Sequence, residues 1–120
     1  MPNYKFSDRE QMVIRELGKL GYRYDRETKK TIEFVDDSLD RVIELNREHN
    51  KLALVFGFGE PSSLAGMAGI ERVSDRSSSN FKKLSKGVTR TGRDNHQGIQ
   101  IVMSDKARIS IVVDRMSQTP

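Results

Sequence analysis

The chain has no cysteine and no tryptophan, and only two histidines and three prolines among its 120 residues. Without cysteine, disulfides and thiolate metal sites are excluded, which suits a reducing compartment. A lone histidine lacks the further ligands a metal centre demands, so no metal or other cofactor is expected. No apolar run approaches the roughly 20 residues of a membrane helix, and no membrane association is expected. The opening "MPNYKFSDRE" lacks the apolar core of a signal peptide, so the expected location is the cytoplasm.

What is present is enough for one core. The apolar share is 35% and the charged share 32%, lean but clustered, and the length fits a single small domain over residues 1–120. Charge is uneven along it. Residues 1–60 carry 11 basic and 12 acidic side chains, whereas residues 61–120 carry 10 basic and 5 acidic. Most of the excess lies in Arg72, Arg76, Lys82, Lys83, Lys86, Arg90 and Arg93. A basic segment attracts polyanions because neutralised phosphates release counterions. These seven residues are the candidate contacts to nucleic acid or to an acidic protein; the competing reading is a solvated loop whose charges keep it soluble.

Local patterns predict the elements. In "FSDREQMVIRELGKLGY", Ser7 and Glu10 form an S-x-x-E capping box, and Val13, Ile14, Leu17 and Leu20 recur at helical spacing. Gly21 is placed to end the helix, and Gly18 within it predicts the close approach of another element. "GYRYDRE" and "KKTIEFV" read as a hairpin, with Tyr22 and Tyr24 on one face and Ile32 and Phe34 on one face. Arg41–Asn46 reads as a strand, followed across "REHN" by the apolar run "KLALVFGF" as a central strand. Residues 59–93 read as a flexible, basic, Gly- and Ser-rich connection, with "FKKL" as a short strand or turn. "GIQIVMS" reads as a strand. Ile109, Val112, Val113 and Met116 have helical spacing with Ser104 as a cap, while the β-branched "ISIVV" favours a strand; the helix is expected. The fold class is therefore α+β: an N-terminal helix, a mostly antiparallel sheet, and a closing C-terminal helix or strand.

The stretch "KGVTRTGRDNHQGIQI" carries the chemical question. Gly87 and Gly92 have the spacing of a phosphate-binding loop, but Arg93 and Asp94 replace the required Lys-Ser/Thr and the segment leads into a strand, not a helix. It is expected as a surface loop with Gly87, Gly92 and Gly98 at its bends. Asp94 and His96 are candidates for a base and its partner. Asp25, Glu27 and Lys29 contain the Glu-x-Lys string found in metal-dependent nucleases, which needs a further carboxylate supplied by the fold.

The strings "VIELNREHNKLALVFGF" and "GRDNHQGIQIVMSDKARISIVVDRM" resemble the YgaC-like family of small uncharacterised bacterial proteins, through Asn46, Arg47, Leu54, Val55, His96, Gly98, Ile99 and Ser104. The chain departs from that pattern in its β-branched "ISIVV" and its longer basic loop. The resemblance implies a small α+β domain without a known activity, and a surface site joining Arg47 to His96, with Asp94 beside it. No complete catalytic set is readable. The leading reading is a non-enzymatic binding module that takes nucleic acid through the basic segment. The alternatives are a protein-interaction module or homo-oligomer, and a small hydrolase or nuclease-related protein.

Overall fold

The computed structural model describes residues 6–39, 41–78, 85–88, 94–104 and 108–118, with the backbone alone for 76–78, 85–88 and 94–97. Helix α1 spans Asp8–Lys19 and begins at the expected capping box. The Glu10 amide donates to Ser7 Oγ at 3.1 Å, and the Ser7 amide donates to Glu10 Oε1 at 3.0 Å. Two otherwise orphaned amides are thus satisfied at the helix start. Val13 and Leu17 are buried.

Among the described residues seven strands follow: β1 Arg23–Glu27, β2 Thr31–Asp36, β3 Arg41–Asn46, β4 Leu52–Phe56, β5 Ile70–Ser78, β6 Ser85–Val88 and β7 Asp94–Met103. A single 3₁₀ turn, Pro61–Leu64, lies between β4 and β5, and helix α2, Ile109–Ser117, closes the order. The first turn, after β1, is set by Thr28, whose Oγ1 accepts from the amides of Lys30 and Thr31. The second, after β2, is set by Asp36, whose Oδ1 accepts from the Ser38 amide and hydroxyl. Short polar side chains that bond their own backbone favour such turns.

All pairings are antiparallel and the sheet order is β1-β2-β3-β4-β7-β5, with β6 paired to β7. β7 is shared. Its residues 99–103 pair with β4, residues 94–97 pair with β6, and residues 96–103 pair with β5. Side chains alternate across a strand, so the sheet has two distinct faces. One face carries Ile32, Phe34, Ile43, Leu45, Leu54, Phe56, Ile101 and Met103, packed in one core with Val13 and Leu17 of α1 and Ile109, Val112, Val113 and Met116 of α2. The other carries a small cluster of Val35, Val42 and Val55, with Glu33 and Glu44 buried beside it.

The α+β architecture is as expected, and the closing element is a helix. Several local expectations are corrected. The segment 59–93 is not simply a connection, because it holds the 3₁₀ turn, β5 and β6. β5 lacks an apolar alternation: only Ile70 and Val73 are large and apolar in "IERVSDRSS". Its strand state comes from pairing with the distant β7, and tertiary pairing overrides local preference. The expected surface loop is likewise two strands. Lys86–Val88 lie in β6 and Asp94 onward in β7, with Gly87 and Gly98 inside strands; Gly92 and "FKKL" fall outside the described residues. The cap of α2 is Arg108, not Ser104, and it makes no side-chain cap hydrogen bond. Tyr22 is buried and Tyr24 is exposed.

Two glycines separate structural need from habit. Gly59 has φ +91, and a Cβ built there would lie 2.6 Å from the Met116 carbonyl oxygen. Gly18 has no neighbour within 4 Å of an added Cβ, so the expected close approach is absent. Gly59→Ala should therefore destabilise by about 1–3 kcal/mol from the positive φ alone. Gly18→Ala should stabilise by about 1 kcal/mol, the helix-propensity difference. Urea melts of the two variants check both signs, and equal effects would contradict the placement of Gly59 against α2. Leu54 is fully buried in the central strand β4, and Leu54→Ala should cost about 2–5 kcal/mol in the same melts.

Candidate functional site

The expected cationic set divides. Arg72 is exposed in β5, opposite Val102 of β7. Arg76 lies in β5 opposite Gly98, and Lys86 lies in β6 opposite His96. Lys82, Lys83, Arg90 and Arg93 fall outside the described residues. The three placed cations belong to one antiparallel ribbon, β5-β7-β6. The ribbon overruns the helix-covered sheet, since β4 stops at Phe56, opposite Ile99, and β7 continues back to Asp94.

Arg47 and His96 are not brought together. Arg47 sits in the turn between β3 and β4, and β4 begins at Leu52, which pairs with Met103 at the end of β7. His96 pairs with Lys86 and Ser78 near the start of β7. Seven residues of extended strand separate Met103 from His96, about 23 Å at the usual rise. Asp94 stays with His96, two residues away on β7 and opposite Val88.

Arg47 serves a different purpose. Its Nε donates to Glu10 Oε2 at 3.0 Å, and its Nη1 donates to Glu27 Oε2 and to the Thr28 carbonyl, both at 2.9 Å. Its guanidinium also lies over the Phe6 ring, 5.9 Å from the centroid. One side chain thus ties the α1 capping box, the first hairpin and the second hairpin together. Partial burial disfavours the Arg47 charge, but the bonds to Glu10 and then to Glu27 outweigh that cost and raise its pKa above the ordinary value. All three partners expose less than a fifth of their side chains, so screening is weaker than for surface pairs.

The Glu-x-Lys string is absorbed in the same way. Glu27 is an Arg47 partner, and Asp25 accepts from Arg23 Nη1 at 2.9 Å. Lys29 is exposed in the turn. Among the described residues no group of three or more His, Cys, Asp or Glu is placed to hold a metal ion.

The residues that the sequence reading missed are Glu33 and Glu44. They face each other across β2 and β3, are 3% and 0% exposed, and lie on the sheet face away from the helices. Like charges directly opposite in a sheet repel. Neither Glu33 oxygen has a hydrogen-bond donor among the described residues; Arg26 Nε is 3.7 Å away, an ion-pair distance only. Two carboxylates can only accept, and a proton on one of them supplies the missing donor. Burial pushes the Glu33 carboxyl above its ordinary range, with the neighbouring Asp25 adding to the shift and Glu44 and Arg26 opposing it. On the same face Asn46 Nδ2 donates to Gln100 Oε1 at 3.0 Å, linking β3 to β7 across β4. The signal lay in "TIEFV" and "VIELN". Each string places a Glu between core positions, and an antiparallel hairpin in this register sets the two acids opposite each other.

Comparison with protein-family models, with curated proteins and with solved structures finds no match for this chain.

Because the Glu33 pKa is raised on folding, its contribution favours the folded state below the unfolded carboxylate value and is lost as pH rises through the folded value. Glu33→Gln keeps the shape and removes the titration. The variant should melt higher than the parent at pH well above the carboxylate range, with the advantage shrinking in acid. Thermal melts across pH check this, and a pH-independent difference would show that ionisation of the buried Glu33 carboxyl is not the cause.

Proposed function

We propose that this protein is a non-enzymatic binding module that takes a nucleic-acid backbone on the β5-β7-β6 ribbon. The supporting observation is the ribbon itself: Arg72, Arg76 and Lys86 are set on one antiparallel three-stranded unit, Arg72 opposite Val102 where β4 also pairs, and Arg76 and Lys86 opposite Gly98 and His96, beyond the end of β4. Strands are an established way to present side chains to a duplex. Spacing agrees. Positions 72 and 76 are separated by four residues, about 13 Å of extended chain, and four phosphate steps along one strand of a duplex advance about 14 Å. Phosphate contacts of this kind position a protein without reading sequence.

A second reading has its own observation. β5 pairs only with β7 among the described residues, and its Val73 is 38% exposed. An unpaired strand edge is a template for another chain, so strand addition by a second copy or by an acidic protein competes for the same ribbon.

The deciding experiment is fluorescence anisotropy with a short random-sequence duplex, at salt concentrations between about 50 and 200 mM, where phosphate-dominated binding falls steeply. The triple variant Arg72→Ala, Arg76→Ala, Lys86→Ala should flatten the log–log salt slope by about three units, near 0.9 per lost phosphate contact, with its melting temperature little changed. Absence of binding by the parent at low salt would sink the nucleic-acid reading. Self-association seen by analytical ultracentrifugation and removed by Val73→Lys would then favour strand addition.

A further inference from the structure

The described residues where α1 meets the start of α2 are rich in positive charge. Helix N-termini are the positive end of the helix dipole and favour Ser, Thr, Asp or Asn at the cap with acids in the first turn. α2 has none of these: Arg108 occupies its cap, no side chain caps it, and its first turn has no acid. Against this end α1 sets two more arginines, Arg9 and Arg15. With Arg108 they line a cleft of about 530 Å³ whose apolar wall is Met12, Leu52 and Ile109. That volume is in the range of small-molecule sites, about 300–1,000 Å³.

Among the described residues that line the cleft, one is acidic, Glu16. Its Oε2 is 3.2 Å from Lys19 Nζ and 3.7 Å from Arg15 Nε, so its charge is already shared with two cations. Arg9 is held in place by donating Nη1 to the Asn50 carbonyl at 3.0 Å. Three arginines and a helix N-terminus therefore line one concave space in which the one acid among the described lining residues is already engaged. Such an arrangement repels itself when empty and is relieved by an anion. Guanidinium pairs match the geometry of phosphate oxygens better than point charges do.

We propose that this cleft binds a small organic phosphate of the nucleoside monophosphate class. The phosphoryl group sits at the start of α2 between Arg108 and the α1 arginines, and the flat apolar body lies on Met12, Leu52 and Ile109. The site is on the helix side of the sheet. Arg72, opposite Val102, is on the other face, and Lys86 pairs with His96, seven residues along β7 from the Leu52 partner Met103, so either site can fail without the other.

The test is calorimetric titration of the full chain with adenosine 5′-monophosphate, adenosine and inorganic phosphate. Adenosine monophosphate should bind, with the other two at least tenfold weaker, because each supplies half of the contacts. Arg108→Ser should weaken the monophosphate at least tenfold while leaving the ligand-free melting temperature unchanged or higher, since serine removes a cation from the positive helix end and provides a cap. Arg15→Gln, at a side chain 64% exposed, should weaken binding in the same direction and keeps the test open if the first variant misfolds. No heat from the monophosphate at millimolar concentration, equal affinity for inorganic phosphate, or binding unaffected by both substitutions would overturn the assignment.

Discussion

The sheet depends on β7 having both of its edges paired. The meander β1-β2-β3-β4 ends on β4, a wholly buried strand whose second edge would otherwise leave amides and carbonyls without partners. Buried backbone groups must be paired, and residues 99–103 of β7 do this, in register from Phe56↔Ile99 to Leu52↔Met103. The opposite edge of β7 holds β5. The strand thereby fixes which residues face the helices: Ile101 and Met103 enter the core, and Gln100 and Val102 take the other face. A one-residue slip would exchange these two sets. The pairing is long-range, since the 3₁₀ turn, β5 and β6 separate β4 from β7 in sequence. Loop closure must precede its reward, so formation of this central contact is expected to govern how fast the domain folds.

Charge is distributed to reinforce the seams between elements. Arg47 joins three of them through Glu10, Glu27 and the Thr28 carbonyl. Arg23 is bound to Asp37 through Nε at 2.6 Å and Nη2 at 3.0 Å, bridging β1 to the turn after β2. Arg41 lies 4.7 Å over Phe58, which itself stacks on Tyr22, and this aromatic group seals the end of the sheet near Gly59 and α2. Glu33 and Glu44 oppose that logic. They place two acids face to face in a buried sheet, where removing a charge is cheaper than keeping two. A feature that works against stability within an otherwise consistent fold is the kind retained for function or tolerated at a cost.

Legibility in the sequence followed locality. α1 was readable because Ser7, Glu10, Val13 and Leu17 all sit within one short window, and their caps and faces are local physics. β4 was readable because "KLALVF" is apolar enough to need burial whatever surrounds it, and β3, whose "RVIELN" fits helix or strand by itself, was read as a strand from that neighbour. α2 was ambiguous between propensity and period, and period decided it, because Ile109, Val112, Val113 and Met116 all face the core. β5 was not readable, since its strand state is imposed by a partner about 18 to 33 residues away in sequence. Arg47 was singled out as a site residue, but its partners Glu10 and Glu27 come from two other elements, and only the fold shows that it is a latch. The register that opposes Glu33 to Glu44 also required the hairpin geometry, although the paired Ile-Glu-hydrophobic strings were visible.

Along β7 the Asp94 end carries β6, while β5 runs beside it from His96 to Met103. The described cations of the ribbon are therefore spread along the strand: Lys86 and Arg76 lie opposite His96 and Gly98, and Arg72 lies opposite Val102 near the Met103 end. His96 and Met103 are about 23 Å apart at the usual rise, nearly three times the Debye length of about 8 Å at physiological salt, so Lys86 is screened from an anion in the α1–α2 cleft. Any coupling between the two ends must be mechanical, carried by β7 and its register. The central strand is thus both the main structural constraint and the one continuous element through which occupancy at one end would be felt at the other.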